Sequence, residues 1–430
     1  MAELRARHSR LARGGPPSSG TAINGVGRGR REDPPSSRAT RLRLVEDAVS
    51  AGIARGLGHL IAEDEHLSGR VVTLRGSRQV NFGSCSYLGL ETDLRLKNAA
   101  CDAVNRYGVQ FSSSRAYVSC PPYRELESLL EQLFEAPVVV APTTTLAHFA
   151  ALPLLIGSDD AVICDQFVHN SVQSVLPTLQ VAGTACRFVR HNRLDRLDEA
   201  VAALAERHRR VWYLADGVYS MHGDRAPMGG LRDLLSRHPR LCLYVDDAHG
   251  VSWTGRHGRG TVLGDGPAPA RTVVAAGFAK AFGASGAVLV LPDAETARLI
   301  RTCGSTMIFS GLLPPAVLGA AIASARIHLS DEIHRRQAKL LDRIRLFNDL
   351  AAHRGLPLGS TAETPIRFVK VGDADATTRM TADLMRDGFY TNTALFPAVS
   401  RGGGGLRITL TLHQTLDDIS WLVDGIARRL

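Results

Sequence analysis

Lys280 is one of only four lysines in a chain that carries 47 arginines, and it lies in the run AGFAKAFG at 276–283, made mostly of small residues. An apolar run that ends in Asp246 lies 34 positions upstream. A lysine that forms a Schiff base needs uncrowded surroundings of low dielectric, because desolvation lowers its pKa and frees the amine. An acid that keeps a ring nitrogen protonated completes the requirement of pyridoxal phosphate (PLP) chemistry. Together the two residues predict a PLP-dependent enzyme, whereas such a lysine alone is more often a surface residue.

Other polar side chains follow short apolar runs in the same way. His169 and Ser220 each come after a run of buried-strand type, as Asp246 and His249 do. Reactive groups in parallel sheets sit at the carboxyl ends of the strands, so we expect these four residues to converge. A single loop histidine is usually structural or exposed to solvent. The repetition of the pattern ahead of the lysine loop favours an active site over coincidence.

Composition limits the class of protein. A chain of 430 residues with 44% hydrophobic content is long enough for two domains, or for one large domain with an appendage. The seven cysteines are scattered and form no CxxC pair, which predicts free thiols in a reducing compartment, the cytoplasm, and neither a disulfide framework nor a metal site. No uninterrupted apolar run reaches about 18 residues, so we expect no membrane span.

The net charge of +9 is concentrated at the start of the chain. Residues 1–45 hold ten arginines against three acids and are rich in Gly, Pro and Ser. We interpret 1–43 as a disordered basic tail, with an organelle transit peptide and a docking arm for an acidic partner as alternatives. The rest of the chain is nearly neutral, which argues against binding of nucleic acid.

The remaining sequence alternates between helix and strand signals. Short apolar runs predict strands at 138–141, 161–164, 185–189, 211–215, 241–245, 273–276 and 287–291, and a mostly parallel sheet covered by helices on both faces. Helices are predicted at 44–61, 126–134, 146–156, 316–353 and 416–430, with further strands at 366–369 and 406–412. We expect an N-terminal segment at 44–90, a large domain at 91–315 and a small α+β domain at 316–430.

Four segments carry a specific family resemblance. DGVYSMHGDRAP at 216–227 resembles EGVFSMDGDxAP; VDDAHG at 245–250 with GRG at 258–260 resembles VDEAHGxGxxGxxGRG; FSGLLPP at 309–315 resembles FSTxLPP; GLRITL at 405–410 resembles RLRITL. These are motifs of the α-oxoamine synthases, fold-type-I PLP-dependent enzymes that include 8-amino-7-oxononanoate synthase and serine palmitoyltransferase. The resemblance covers the chain from about residue 81 to its end.

The resemblance implies an acyltransferase that condenses an amino acid with an acyl thioester, on coenzyme A (CoA) or an acyl-carrier protein, with decarboxylation to an α-aminoketone. It also implies a homodimer with shared active sites. The assignments it carries are Lys280 as Schiff-base lysine and general base, Asp246 on the ring nitrogen, His169 stacked on the ring, Ser220 and His249 at the phenolic oxygen, Ser310 at the phosphate, Arg407 at the amino-acid carboxylate, and Ser114 and Arg115 at the substrate.

Departures from the family pattern concern the phosphate and the substrate. In place of SGYxAN the chain has PTTTLAH at 142–148, so we assign the phosphate to Thr143, Thr144 and Thr145 at a helix N-terminus. The family's TxSK reads GFAK at 277–280, and the threonine of FSTxLPP is Gly311. The usual asparagine of the family's NDYLGL segment is replaced around Cys85 and Ser86. The amino acid and the acyl donor therefore stay open, and we expect a role in specialised metabolism.

Three other functions remain alternatives. One is a different fold-type-I reaction, such as aldol cleavage, transamination or condensation without decarboxylation. Another is a non-catalytic partner subunit, against which the joint presence of Lys280, Asp246 and His169 argues. The last is a PLP-sensing regulator with a nucleic-acid arm, for which no helix-turn-helix pattern is present ahead of Leu44.

Overall fold

The structure is a computed structural model that describes residues 38–264, 266, 268–400 and 402–430. The chain divides into two compact units, Met1–Glu46 and Asp47–Leu430. Of the first unit, the described residues 38–46 belong to helix α1 (Arg38–Ala54). Residues 1–37 of the predicted tail lie outside the described residues, while 38–43 are helical.

The described part of the second unit alternates strands and helices. Strands are β1 (Val71–Leu74), β2 (Ser77–Asn81), β3 (Val138–Ala141), β4 (Ala161–Asp165), β5 (Ala185–Val189), β6 (Val211–Asp216), β7 (Leu241–Asp246), β8 (Thr272–Gly277), β9 (Ala287–Val290), β10 (Ile366–Gly372), β11 (Phe389–Tyr390), β12 (Asn392–Ala394) and β13 (Gly404–Thr409). Helices after α1 are α2 (Leu94–Tyr107), α3 (Pro122–Phe134), α4 (Thr144–Leu155), α5 (Asn170–Gln173), α6 (Leu176–Val181), α7 (Leu194–Ala205), α8 (Met228–Arg237), α9 (Gly260–Leu263), α10 (Ala294–Cys303), α11 (Ser305–Ile308), α12 (Pro315–His328), α13 (Glu332–His353), α14 (Ala374–Arg386) and α15 (Leu416–Ala427), with a 3-10 turn at Arg256–Gly258.

Seven strands form the central sheet in the order β3-β9-β8-β7-β6-β4-β5. Strand β9 runs antiparallel to both of its neighbours, and the other four pairs are parallel. The sheet is therefore mixed, with a parallel half from β8 to β5, and each apolar run predicted as a strand is one. The carboxyl ends of β4, β5, β6, β7 and β8 lie along one edge.

Both faces of this sheet are covered, as its continuous apolar strands require. Along β7, Leu241, Leu243 and Val245 belong to one buried cluster, whereas Cys242 and Tyr244 belong to another. Helices α3, α7, α8 and α12 contribute to the first cluster, and α4, α6 and α10 to the second. The alternation along a single strand thus separates two helical layers, which hold the sheet edge rigid.

Two smaller sheets accompany the central one. Strands β10, β13 and β12 form an antiparallel sheet, in which β13 is central. Strands β1 and β2 form an antiparallel pair that β11 joins in parallel. The first of these sheets places Arg407 of β13 opposite Phe368 of β10.

The helices predicted at 126–134, 146–156 and 416–430 are present with bounds shifted by one to four residues, whereas the other two predicted helices differ more. The helix expected at 44–61 ends at Ala54, because Gly56 adopts a left-handed φ of 69° and Leu57 N–H bonds back to the carbonyl of Gly52. The helix expected at 316–353 is two helices, α12 and α13. At their junction Ser330 donates to the Ile327 carbonyl and accepts from a backbone N–H, so its hydroxyl competes with the helical pattern.

None of the helices in the described ranges is both long and apolar enough to cross a membrane.

Candidate active site

Asp246 is the last residue of β7, and its carboxylate is buried. One oxygen, Oδ1, accepts from the backbone N–H of Ala248 at 3.0 Å, and Oδ2 lies 3.1 Å from His148 Nε2. Burial by itself raises the pKa of this carboxyl, but the His148 hydrogen bond and the positive charge of Lys280 outweigh it and hold the pKa below its usual value. Asp246 is therefore an anion at neutral pH.

His148 is a site residue to which the sequence reasoning gave no role. It is fully buried in α4, and its Nδ1 lies 2.8 Å from the hydroxyl of Tyr244. Because the carboxylate of Asp246 only accepts, Nε2 of His148 carries the hydrogen. The available signal was a polar residue in the otherwise apolar helix α4, since such a residue needs a buried partner.

The neighbouring acid, Asp247, has a different task. Its oxygens accept from the backbone N–H and the hydroxyl of Thr261, at 2.7 and 2.5 Å, which ties the end of β7 to α9. Burial raises the pKa of Asp247 to about 7. A Cβ atom added at Gly217, Gly250 or Gly260 would lie 2.0 to 2.2 Å from one of its oxygens. Three glycines therefore enclose Asp247, which leaves Asp246 as the acid that faces the lysine.

Lys280 follows β8, the strand next to β7, in the turn after Gly277. Burial lowers the pKa of its amine, while the charge of Asp246 acts in the opposite direction. A lowered pKa increases the fraction of Lys280 that is present as the neutral, nucleophilic amine. Lys280 and Asp246, predicted from the sequence as a pair, lie within electrostatic reach of each other.

His169 is the N-cap of α5, four residues beyond the end of β4, and it is exposed. Its backbone N–H donates to Oδ1 of Asp216 at 3.0 Å, and its Nδ1 lies 2.7 Å from the hydroxyl of Ser171. Surrounding protein atoms lower the pKa of His169. Burial and the charge of Asp246 raise the pKa of Asp216 well above its usual value, so Asp216 holds His169 in place without competing for the lysine.

The three threonines lie where helix α4 begins. Thr143 is its N-cap, and its Oγ1 accepts from the backbone N–H of Leu146 at 3.1 Å. A Cβ at Gly277 would lie 3.3 Å from Cγ2 of Thr144 and 3.2 Å from Ala248, so glycine lets the lysine turn pack against this N-terminus. Thr145 is exposed in the first turn. Free backbone N–H groups and hydroxyls at a helix N-terminus suit a phosphate.

Ser310 forms a local hydrogen bond within its own segment. Its hydroxyl donates to the carbonyl of Thr306 at 2.5 Å, and the neighbouring Thr306 hydroxyl donates to the carbonyl of Leu146 in α4 at 2.6 Å. The segment that carries Ser310 is thus tied to the helix of the three threonines. Its predicted phosphate contact stays a prediction.

Arg407 projects from the middle of β13. Its Nε donates to the carbonyl of Ser220 at 2.6 Å, and a terminal nitrogen lies 3.7 Å from Sγ of Cys85. His249, which is buried, has its Nδ1 2.7 Å from the hydroxyl of Tyr87, and Lys280 and Arg407 further lower its pKa, already depressed by burial. The structure therefore brings the predicted Ser220, His249 and Arg407 to the edge that carries Lys280.

Ser114 and Arg115 are engaged differently. The hydroxyl of Ser114 donates to the carbonyl of Ile308 at 2.8 Å. The guanidinium of Arg115 pairs with Glu127 at 3.0 Å and lies over the ring of Tyr123, 4.1 Å from its centroid. Within a single chain these two residues organise the loop before α3, and their predicted substrate contact stays a prediction.

A cleft of about 940 Å³ opens beside His169 and Ser220. Apolar side chains form much of its wall, among them Met221, Phe368 and Phe396. The cleft continues the site between the loop after β4 and the segment that precedes β13. It has the size and the apolar lining of a small-molecule site.

Comparisons with known proteins agree with this geometry. The aminotransferase class I and II family matches residues 77–420. A putative 8-amino-7-oxononanoate synthase of Geobacillus kaustophilus is 33% identical over 363 residues, which cover 84% of this chain and 91% of the relative. The 8-amino-7-oxononanoate synthase of Symbiobacterium thermophilum is 30% identical over 391 residues, 90% of this chain and 96% of the relative.

The solved structure of serine palmitoyltransferase from Sphingomonas wittichii has a TM-score of 0.83 at 24% identity, covering 93% of this chain and 98% of that one, which shows a common fold. The predicted family, fold class and cofactor are thereby confirmed. The chain belongs to the aminotransferase class I and II family and, within it, to the α-oxoamine synthases, which are PLP-dependent acyltransferases.

Proposed function

We propose that this chain condenses an amino acid with an acyl thioester: the α-carbon forms a bond to the acyl carbonyl carbon, the thiol leaves, and the carboxylate is lost as CO2, giving an α-aminoketone. The observation that carries the proposal is the electrostatic pairing of the ionised Asp246 with the partly buried amine of Lys280, at and just beyond the ends of two adjacent strands. This pairing provides a fixed negative charge and a readily deprotonated amine in one place. Both are needed for PLP chemistry at the α-carbon of an amino acid.

The residues present fit PLP. Asp246 would hold the ring nitrogen, Lys280 the aldehyde carbon and His169 one ring face, while the N-terminus of α4 with Thr143, Thr144 and Thr145 would hold the phosphate. When bound, PLP supplies a protonated ring that accepts the electron pair left on the substrate's α-carbon. Asp246 would keep that ring protonated, because His148 and the Ala248 N–H stabilise its anion.

We assign the α-proton transfer to Lys280. Burial lowers the pKa of its amine, so the free base is available to accept a proton at Nζ. The neighbouring anion Asp246 stabilises the ammonium that results. The same balance lets Lys280 return the proton later in the cycle.

We assign the substrate carboxylate to Arg407. Its guanidinium is partly buried, the 2.6 Å bond to the Ser220 carbonyl fixes its Nε, and a terminal nitrogen lies 3.7 Å from Sγ of Cys85, a weak acceptor that a carboxylate would replace. A planar guanidinium binds a carboxylate with two parallel hydrogen bonds. His169, exposed to the cleft, would donate to the carboxylate or to the thioester oxygen as charge develops there.

The acyl group belongs in the cleft beside His169. Its wall contains Met221, Phe368 and Phe396, and apolar side chains of this kind favour binding of an acyl chain over binding of a charged group. This apolar wall would contact the acyl chain and not the thiol carrier, so it does not distinguish CoA from a carrier protein. Cys85, which contacts Arg407 where the family has an asparagine, supports our proposal of a substrate specific to specialised metabolism.

We also propose a homodimer. Two large apolar side chains, Tyr117 and Phe309, are 85% and 84% exposed, and the bond from Ser114 to the Ile308 carbonyl joins their loops. An exposed apolar patch of this kind marks an interface. The patch adjoins Ser310, which supports active sites shared between protomers. Replacing Tyr117 and Phe309 with Asp should give a monomer by light scattering.

Two further expectations stay proposals. The division into 91–315 and 316–430 is supported by the sheets, since the central one lies within 138–290 and the β10-β13-β12 sheet within 366–409. A cytoplasmic location is supported by seven free cysteines, of which Cys101 and Cys303 are exposed and would oxidise outside a reducing compartment.

A substrate screen tests the function. The PLP-loaded enzyme is incubated with each carboxyl-labelled amino acid, with and without acyl thioesters, while cofactor absorbance and labelled CO2 are recorded. We expect one amino acid to change the absorbance alone and to release CO2 only with a thioester. Lys280→Ala should lose both signals, and Lys97→Ala, an exposed lysine in α2, should keep both. CO2 release without a thioester, or a ketone product that retains the label, would identify a different reaction.

A further inference from the structure

His191, two residues beyond β5, lies between two carboxylates. Its Nδ1 is 2.9 Å from Oδ1 of Asp165, and its Nε2 is 2.5 Å from Oδ2 of Asp224. A carboxylate only accepts hydrogen bonds, so each ring nitrogen must carry a hydrogen. The two carboxylates therefore favour the imidazolium cation of His191, whose side chain is only 17% exposed. Nδ2 of Asn192 also lies 3.2 Å from Nε2 and bonds the same oxygen of Asp224.

Asp165 is held as an anion by further donors. It accepts from the backbone N–H groups of Phe167 and Asn192, at 2.8 and 2.9 Å, and from the hydroxyl of Tyr213 at 3.2 Å. Burial raises the pKa of this carboxyl, but the His191 bond and these backbone donors bring the pKa below its usual value. The cation thus faces a fully ionised partner at the end of β4.

Each of the two carboxylates lies at one end of a loop that carries a site residue. Asp165 begins the His169 loop, defined as 165–170, which ends at α5. Asp224 ends the Ser220 loop, defined as 217–224, in which the N–H of Tyr219 donates to the Asp224 carbonyl. The rings of Phe167 and Tyr219, one from each loop, lie 4.7 and 4.3 Å from the His191 ring. His191 is in contact with both loops.

Each loop controls one of the proposed substrate contacts. The His169 loop presents His169 itself. The Ser220 loop presents the carbonyl that binds Nε of Arg407. A change in the spacing of the two loops would therefore change the distance between His169 and Arg407.

We propose that His191 is a positioning residue for the reaction: as a cation between Asp165 and Asp224 it fixes the spacing of the His169 loop and the Ser220 loop, and so the affinity for the amino acid. It touches neither substrate nor cofactor. The inference rests on the proposed roles of His169 and Arg407.

The two hydrogen bonds that join His191 to Asp165 and to Asp224 are called the His191 bridge below. This bridge depends on the charge of His191 and is therefore weakened at alkaline pH. The groups that face His191 are Asp165 of β4, Asp224 and Tyr219 of the Ser220 loop and Tyr213 of β6, with His222 near by. Burial lowers the pKa of His191, but the two carboxylates outweigh burial and raise the pKa to about 9. A raised pKa in the folded state gives stability that is complete below about pH 6.5 and is lost as the pH rises through about 9.

The test compares His191→Gln with His238→Gln. His238 also bonds an aspartate, Asp198, at 2.5 Å, and its side chain is 18% exposed, but His238 follows α8, Asp198 lies on α7, and neither lines the cleft. We measure kcat and KM for the amino acid with the PLP-loaded enzymes, and the Tm of the cofactor-free proteins between pH 6 and 10. For His191→Gln we expect the KM to rise roughly tenfold to a hundredfold, the range for hydrogen bonds to a charged group, with a smaller change in kcat.

The Tm gives a readout that does not depend on activity. The wild type and His238→Gln should lose Tm as the pH rises from 7 to 10, and His191→Gln should lose clearly less. A KM within twofold of that of His238→Gln would overturn the proposal and leave His191 a purely structural residue. An unchanged pH dependence of the Tm would overturn it as well, because the cation would then not form.

Two more variants keep the outcome decisive. If His191→Gln does not fold, Asp224→Asn keeps the acceptor but removes its charge, and it should raise the KM and shift the loss of Tm to lower pH. Wild-type behaviour of Asp224→Asn would refute the bridge. If Arg407→Lys leaves the KM unchanged, the proposed carboxylate site is wrong. If Arg407→Lys raises the KM but His191→Gln and Asp224→Asn leave the KM unchanged, the proposed function stands and the positioning role of His191 fails.

Discussion

Removing His148 tests the central electrostatic argument. His148→Phe preserves a buried ring in α4 but deletes the bonds to Asp246 Oδ2, at 3.1 Å, and to the Tyr244 hydroxyl, at 2.8 Å. Asp246 then loses its only side-chain hydrogen bond among the described contacts and keeps the bond from the Ala248 N–H. Its anion becomes less stable, so its pKa rises and its hold on a protonated ring nitrogen weakens.

The magnitude follows from the bonds lost. A hydrogen bond to a charged group contributes about 1.5–3 kcal/mol, so kcat should fall by roughly ten- to a hundredfold if the bond acts fully in the transition state. Two buried polar groups lose a partner, each at a cost of about 1–3 kcal/mol, so the Tm should fall by several degrees. In the wild type the pKa of Asp246 is lowered to about 2, so the stability that this charge contributes is complete above about pH 4 and is lost as the pH falls through about 2. In the variant this loss should begin at higher pH.

The assay is the pH profile of kcat, with Tyr244→Phe as the matched control. Tyr244→Phe removes the same bond to His148 Nδ1 but keeps the bond between His148 and Asp246. We expect the control to retain most of the activity and the wild-type acid limb, while His148→Phe loses activity and shifts the acid limb upwards. If both variants lose activity equally and neither shifts the acid limb, His148 acts through packing and our account of Asp246 is wrong.

Three further variants test the other assignments. Lys280→Ala should abolish turnover and leave the fold intact, checked by kinetics, by circular dichroism and by borohydride trapping, in which a cofactor bound to another lysine would contradict the assignment. Asp246→Asn should lower kcat by several orders of magnitude because a neutral partner no longer keeps the ring protonated, and near-normal turnover would point to Asp247. Replacing Thr144 and Thr145 with Ala should weaken PLP binding by about 1.5–3 kcal/mol in a titration, since hydroxyl bonds to a charged phosphate are lost; unchanged affinity would place the phosphate elsewhere.

The sequence predicted those parts of the site that local pattern determines. Apolar runs that end in polar residues placed Asp246, His169 and Ser220 at one sheet edge, because parallel strands share that edge by construction. The lysine turn could be recognised because Gly277 and its small neighbours leave it uncrowded. The central strands were all found, since buried parallel strands are continuous apolar runs.

Contacts between separate segments of the chain could not be predicted from the sequence. His148 and Asp246 are 98 residues apart, and Arg115 pairs with Glu127 across the turn before α3, so spacing in the sequence carries no signal for either. The single predicted helix at 316–353 is two helices because the hydroxyl of Ser330 competes for backbone partners. That competition depends on where α12 packs, which apolar periodicity does not reveal.

The enclosure of Asp247 has a consequence for how variants of this protein should be built. Gly217 belongs to one motif, and Gly250 and Gly260 belong to a second motif that also contains Asp247, yet each is glycine for the same reason: a side chain there would occupy the space of one carboxylate. The two motifs therefore form one packing unit and are exchangeable only together. A chimaera that takes one motif from a relative must take the other as well. A mutational scan should find the three glycines and Asp247 equally intolerant of substitution, although none of the four contacts the substrate.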